Sequence, residues 1–125
     1  MNHINAVGWF EIYVQDMARA RAFYEAVLGV KLQQLPGDPA VQMWAWPMDN
    51  AGYGASGALV QMPGYASGPG GTLVYFHSAD CEVELARVVA AGGQIVKPRF
   101  SIGPYGFIGL AQDTEGNLFG IHSAA

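Results

Sequence analysis

The chain has 125 residues, of which 51% are hydrophobic and only 13% charged, and its formal net charge is −4. This length is typical of one compact domain with a buried core, so we expect a single domain over residues 1–125. The few Lys and Arg residues are not clustered, which argues against nucleic acid as a partner. So little charge leaves a poorly hydrated surface, and this favours a homodimer or a large apolar pocket.

Nothing in the sequence predicts secretion or a membrane segment. The first ten residues lack the basic region and apolar run of a signal peptide. The least charged stretch, residues 101–112, is short and interrupted by glycines and Pro104, so it does not suit a bilayer. The single cysteine, Cys81, excludes an internal disulfide and fits a reducing compartment. We therefore expect a cytoplasmic protein with no membrane association.

A pattern of strand, capping aspartate, amphipathic helix and glycine occurs twice. It runs first from Trp9 to Gly29 and again from Leu73 to Gly93. Asp80 follows Asp16 by 64 residues, and the two glycines are separated by the same interval. Aspartate is a preferred helix N-cap and glycine a common helix end, so the repeat predicts two equivalent strand–helix units.

Three further strands are predicted after each helix, because short β-branched and aromatic runs alternate with turn residues. The glycine- and proline-rich segment 63–71 separates the two halves, about residues 4–62 and 72–123. Each half thus reads βαβββ. In chain order the predicted strands are 5–15, 30–35, 41–46, 57–62, 72–78, 94–98, 107–112 and 118–122, with helices after Asp16 and Asp80.

This arrangement resembles the vicinal oxygen chelate superfamily, which includes glyoxalase I, bleomycin-resistance proteins and extradiol dioxygenases. The matching residues are Asp16, Phe23-Tyr24, Leu28-Gly29, the helix end 90–93 and the turn Asp113-Thr114-Glu115-Gly116-Asn117. The resemblance implies an α+β fold in which two tandem βαβββ modules form an incomplete eight-stranded barrel with a central cavity. It also implies that a dimer partner often completes or supports the barrel.

The resemblance further implies a divalent metal held by the first and last strands of each module, but this sequence departs from that pattern. Trp9, Leu73 and Gly120 stand at three of the ligand positions, and residues 57–62 offer no His, Asp, Glu or Cys at the fourth. Such metals take imidazole and carboxylate ligands, which these side chains do not provide. We therefore expect no metal and no cofactor.

Glu11 lies on the same strand face as Trp9. The resemblance implies that this face points into the cavity. A carboxylate buried among aromatic side chains is favoured in its neutral form and would suit a general base. It would equally suit the recognition of a cationic ligand. A purely structural role, hydrogen-bonded to a neighbouring strand, is the simpler alternative.

The other candidate ligand-binding residues are aromatic or imidazole side chains. They could form a pocket for a planar or cationic molecule, or simply fill the barrel or a dimer interface. With Glu11, the two histidines could also form a displaced metal site, although histidines at strand ends are more often exposed or hydrogen-bonded to the backbone. Besides Trp9 and Glu11, the candidates are Tyr13, Trp44, Trp46, Tyr75, His77, His122 and, in a glycine-rich loop, Tyr105.

Three functions remain open on this basis. The favoured one is a metal-independent protein that binds an apolar, aromatic or cationic small molecule. The second is a glyoxalase-like lyase or isomerase, using either the displaced metal site or Glu11 as general base. The third is a protein-interaction module whose cavity is filled by its own side chains.

Overall fold

The computed structural model describes residue 7 and residues 9–49, 51–70 and 72–125. The first part of the predicted strand 5–15 therefore lies largely outside the described residues. The rest of the chain follows the predicted order of elements.

Each half consists of a strand, a helix and three further strands, as the repeat predicts. The described residues also contain a short 3-10 turn at Gly103–Tyr105. The first module contains β1 (Phe10–Tyr13), α1 (Met17–Leu28), β2 (Gln33–Gln34), β3 (Gln42–Ala45) and β4 (Gly57–Gln61). The second contains β5 (Val74–Ser78), α2 (Cys81–Val88), β6 (Gln94–Ser101), β7 (Phe107–Gln112) and β8 (Leu118–Ser123).

The strands form two four-stranded sheets with the same topology. Their orders are β1-β4-β3-β2 and β5-β8-β7-β6, and the first strand of each module pairs in parallel with the last. Within the described residues no strand pair joins the two sheets. The α+β fold of two modules is thus confirmed, and the two sheets are not closed into a barrel.

Both predicted helix caps are present. Asp16 Oδ1 accepts a hydrogen bond from the Arg19 N–H at 3.1 Å, and Asp80 Oδ1 accepts one from the Glu82 N–H at 3.1 Å. Gly29 ends α1 with φ 67°, a left-handed conformation that favours glycine. These contacts satisfy N–H groups that a helix start leaves without partners, so the two helix starts repeat in structure as they do in sequence. The helix ends differ, because α2 ends at Val88, before Gly93, and its C-cap Val89 keeps a right-handed conformation.

The main core lies between the helices and the sheets and includes residues of both modules. Phe23 and Tyr24 of α1 lie against Phe119 of β8, with ring centroids 5.9 and 5.6 Å apart. A Cβ atom at Gly93 would approach the Phe23 ring to 2.6 Å, so the close contact between modules requires glycine there. The opposite face of the first sheet carries a smaller cluster, formed by Ala45, Ala58 and Val60.

Among the strands whose predicted range is fully described, β2 and β6 differ most in length from their prediction. The segment predicted as strand 30–35 pairs only at Gln33–Gln34, because Leu32 is buried and its N–H donates to Glu25 Oε2 on α1. Strand β6 continues past the predicted end to Ser101 and includes Pro98. Proline is tolerated there because β6 is an edge strand whose register shifts between Ile95 and Phe100.

Neither helix of the described chain has the length and apolar character needed to cross a bilayer.

Candidate functional site

Alternation along β1 separates its side chains between two environments. Phe10 and Ile12 pack into the main core, whereas Glu11 lies on the opposite face and is exposed. Glu11 accepts one hydrogen bond from Trp9 Nε1 and one from the Tyr13 hydroxyl, each 3.3 Å long. Its carboxylate is therefore held between two aromatic side chains of its own strand.

These three residues line an open groove of about 650 Å³ between the two modules. Its other walls come from the segment that links the modules and from the start of β8, where Pro69, Thr72, Asn117 and Leu118 border it. The groove therefore occupies the gap that the unpaired edges of the two sheets leave.

Several contacts fix the groove wall around Tyr13. Its ring stacks on Tyr65, with centroids 5.0 Å apart and planes inclined by 27°. Asn117 Nδ2 donates to the Tyr13 carbonyl at 2.9 Å, and Asn117 Oδ1 accepts from the Gly68 N–H at 2.7 Å. Partial burial and the nearby charge of Glu11 raise the pKa of Tyr13, so its hydroxyl remains a hydrogen-bond donor. One asparagine thus connects the first strand, the linking segment and the last turn.

The same turn carries a buried carboxylate whose role sequence reasoning missed. Glu115 Oε1 accepts hydrogen bonds from the N–H groups of Gln15 and Asp16, each at 2.9 Å, and Arg19 Nε donates to Oε2 at 2.7 Å. Burial raises the pKa of Glu115, but these bonds and one from Thr114 outweigh it and lower the pKa to about 2. The presence of an acidic residue in the turn motif was the sequence signal that could have revealed this role. Glu115 attaches module two to the start of α1.

Asp113, in the same turn, binds a second residue of α1. The buried Tyr24 hydroxyl donates to Asp113 Oδ2 at 2.6 Å. Burial and the adjacent Asp113 raise the pKa of Tyr24 well above its usual value, so the phenol stays protonated. The turn motif therefore holds the two modules together through Glu115 and Asp113.

A second, more apolar pocket lies on module two. It has a volume of about 380 Å³, and Tyr75, His77 and His122 line it. The two imidazoles are cross-strand neighbours with centroids 6.4 Å apart. His122 Nε2 lies 2.7 Å from the Tyr105 carbonyl oxygen, which can only accept, so this nitrogen carries the proton. Four of the nine candidate residues thus lie in or beside this pocket.

The remaining two candidates, Trp44 and Trp46, pack on the helix side of the first sheet. Trp46 contacts Tyr24 and Phe76 with centroid distances of 5.5 and 5.4 Å, and the guanidinium carbon of Arg21 lies 3.4 Å from the ring centroid of Trp44. Trp46 also borders a third pocket, of about 540 Å³, together with Trp9. The aromatic candidates are therefore divided among separate places, and the binding role of each stays a prediction.

Comparison with known proteins identifies the family. The family model described as "Glyoxalase/Bleomycin resistance protein/Dioxygenase superfamily" matches residues 2–121. The chain belongs to this superfamily. No curated protein sequence matches significantly.

Solved structures of the superfamily share the fold. TnmS3, an antibiotic binding protein from Streptomyces sp., is 22% identical, with full coverage of both chains and a TM-score of 0.71. A glyoxalase-related enzyme from Fulvimarina pelagi is 19% identical over 96% of this chain and 88% of its own, with a TM-score of 0.67. A glyoxalase I mutant from Zea mays is 20% identical over 94% of this chain and 45% of its own, with a TM-score of 0.71.

The metal that this superfamily implies does not fit the residues present. Gly120 occupies one expected ligand position, and the ring of Tyr75 covers it so closely that an added Cβ atom would overlap the ring. The displaced site is not formed either, because Glu11 lines the groove while His77 and His122 line the other pocket. Among the described residues, no three His, Cys, Asp or Glu side chains are placed to hold a metal ion.

Proposed function

We propose that this superfamily member binds a small organic molecule in the groove between its modules, without a metal ion. The observation that carries the proposal is the position of Trp9. It stands where the superfamily resemblance expects the first metal ligand, and it lines a groove of about 650 Å³. That volume is within the range of roughly 300–1,000 Å³ that is typical of small-molecule sites.

The character of the groove supports an apolar or aromatic ligand, or a cation with an apolar body. Trp9, Tyr13 and Leu118 offer apolar and aromatic surface, and Glu11 is the acidic group among them. Aromatic side chains bind planar molecules by stacking and cations through the ring face. The description of the structural neighbour TnmS3 as an antibiotic binding protein is consistent with such a role.

The alternative, a lyase or isomerase, depends on Glu11 as a general base. The sequence predicts a Glu11 carboxylate buried among aromatic side chains, but Glu11 is exposed. Its contacts are hydrogen bonds from Trp9 and Tyr13, and these support a binding role more than a catalytic one.

A ligand screen on metal-free protein tests the proposal. We expect aromatic compounds to raise the melting temperature of protein treated with a chelator, with no further effect of added zinc, nickel or manganese. Trp9→Ala should weaken the binding of a compound found in this screen by about three- to tenfold, which is the affinity expected from one aromatic contact. Val89→Ala, at the exposed residue that follows α2, is the matched control. Binding that requires a stoichiometric metal would overturn the proposal.

We further propose that the whole chain acts as one domain, that it forms a homodimer and that it works in the cytoplasm. Exposed aromatic residues support the dimer: Tyr75, Tyr53 and Tyr105 have relative exposures of 45%, 77% and 74%. Large exposed apolar side chains are unusual on a monomer when they are contiguous. Light scattering on the purified protein tests the dimer, and a monomeric mass at micromolar concentration would contradict it.

A further inference from the structure

We infer that the groove selects an organic cation, with Glu11 as its counter-ion. This inference rests on the proposed function and specifies the chemical class of the ligand. Three features carry it: the charge environment of Glu11, the aromatic groups that surround its carboxylate, and the dimensions of the groove.

The carboxylate of Glu11 has no cationic partner among the protein's Lys and Arg residues. All six of these residues are described, and none has a nitrogen within 4.0 Å of the Glu11 carboxylate. Three of the six are engaged elsewhere: Arg19 pairs with Glu115, Arg21 with Glu25, and Arg87 donates to a backbone carbonyl of α1. Because the net charge is −4, the protein's overall field also attracts cations and repels anions.

The aromatic residues beside Glu11 complete a site for a cation. Trp9 Nε1 and the Tyr13 hydroxyl each donate to one carboxylate oxygen, so the charge is held at a defined position next to two ring systems. The stack of Tyr13 on Tyr65 and the bond from Asn117 fix the position of this wall. A carboxylate with adjacent Trp and Tyr rings attracts an ammonium or guanidinium group through both charge and ring face.

The size of the groove indicates that the ligand is more than a simple ammonium ion. A groove of about 650 Å³ exceeds what a single cationic head group would fill, and Pro69 and Leu118 provide apolar surface beyond Glu11. The expected ligand therefore combines one positive charge with an aromatic or aliphatic body.

The decisive experiment compares two probes of the same shape. Benzyltrimethylammonium carries a quaternary nitrogen, and neopentylbenzene replaces it with carbon. We expect wild-type protein to bind the cation at least about tenfold more tightly than the neutral compound in calorimetry at low salt, and this preference to decrease as ionic strength rises. Glu11→Gln should reduce the preference to within about threefold.

Glu82→Gln is the matched control, because Glu82 is an exposed carboxylate on α2 and its loss changes the net charge equally. It should keep the wild-type preference. If both variants lose the preference for the cation equally, or if wild type binds the two probes equally, the inference is overturned. The proposed function would still hold if the neutral probe binds. If neither probe nor any other aromatic compound binds, the inference and the proposed function are both overturned. If Glu11→Gln does not fold, the inference is tested on wild type alone, by its preference for the cationic probe and the decrease of that preference with salt.

Discussion

Arg19 and Glu115 form an ion pair between two residues that are 96 positions apart in the chain, with 2.7 Å from Arg19 Nε to Glu115 Oε2. Arg19 belongs to the first turn of α1, and Glu115 to the turn that precedes the last strand. The Glu115 side chain is fully buried, and it also accepts the backbone N–H groups of Gln15 and Asp16. The pair therefore determines how module two sits against the start of α1, next to the groove.

Replacing Glu115 by glutamine should destabilise the protein by about 3 kcal/mol at neutral pH. This magnitude follows from the lowering of the Glu115 pKa from 4.5 to about 2 on folding, at about 1.4 kcal/mol per unit. Urea denaturation of wild type and Glu115→Gln measures it. Glu82→Gln, which alters an exposed carboxylate, should change the free energy of unfolding by less than about 0.5 kcal/mol.

The contribution of Glu115 should depend on pH with a defined sign. Because folding lowers its pKa, the ionised form stabilises the native state fully above about pH 5, and this stabilisation decreases as pH falls from there toward 2. The difference in unfolding free energy between wild type and Glu115→Gln should therefore shrink between pH 6 and pH 3. A difference that stays constant over this range would show that the carboxylate charge is not responsible.

The Tyr24 hydroxyl provides a second test of the contact between modules. Tyr24→Phe removes the 2.6 Å bond to Asp113 and leaves the carboxylate with one donor fewer at Oδ2. Loss of a buried bond to a charged group should lower the free energy of unfolding by about 1.5–3 kcal/mol. Tyr53→Phe removes an exposed hydroxyl and should have almost no effect. Equal small effects of both substitutions would mean that the bond does not contribute.

Gly120 and Tyr75 should be energetically coupled. A Cβ atom at position 120 would overlap the Tyr75 ring, so Gly120→Ala should destabilise by about 1–3 kcal/mol. In a Tyr75→Ala background the same change should cost clearly less, and a double-mutant cycle by thermal denaturation measures the difference. Gly37→Ala, where nothing lies within 4 Å of an added Cβ, is the control. Strict additivity would contradict this packing.

Asn117 should control the order of the segment that links the modules. Asn117→Ala removes the acceptor of the Gly68 N–H and the donor to the Tyr13 carbonyl. We expect hydrogen exchange at the Gly68 amide to accelerate by about tenfold or more, because the hydrogen bond to Asn117 Oδ1 protects this amide. The Leu35 amide, bonded to Met43 in module one, should be unaffected. An unchanged rate at Gly68 would show that another contact orders the segment.

The sequence predicted the fold because its signals are local. Asp16 and Gly29 mark the ends of one helix, and their repetition 64 residues later reveals two modules before any contact is known. Alternation along β1 likewise places Glu11 beside Trp9 and Tyr13. These patterns depend on backbone geometry within a few residues, which is why they could be read without tertiary information.

The candidate site was only partly predictable, since burial depends on which sheet face the helices cover. Trp44 and Trp46 lie on one face of their strand and Met43 on the other, yet nothing in the strand's sequence indicates that the tryptophan face packs beneath α1. For the same reason, the sequence predicted a buried Glu11 and the structure shows an exposed one.

By itself, then, the sequence determined the two βαβββ modules, their caps and the absence of the superfamily's ligand residues at Trp9, Leu73 and Gly120. Only the tertiary structure decided that a groove opens between the sheets and that Glu115 and Arg19 join the modules beside it. The physical reason is range: caps and alternation act between residues close in sequence, whereas the groove and the ion pair exist only once distant segments have packed together.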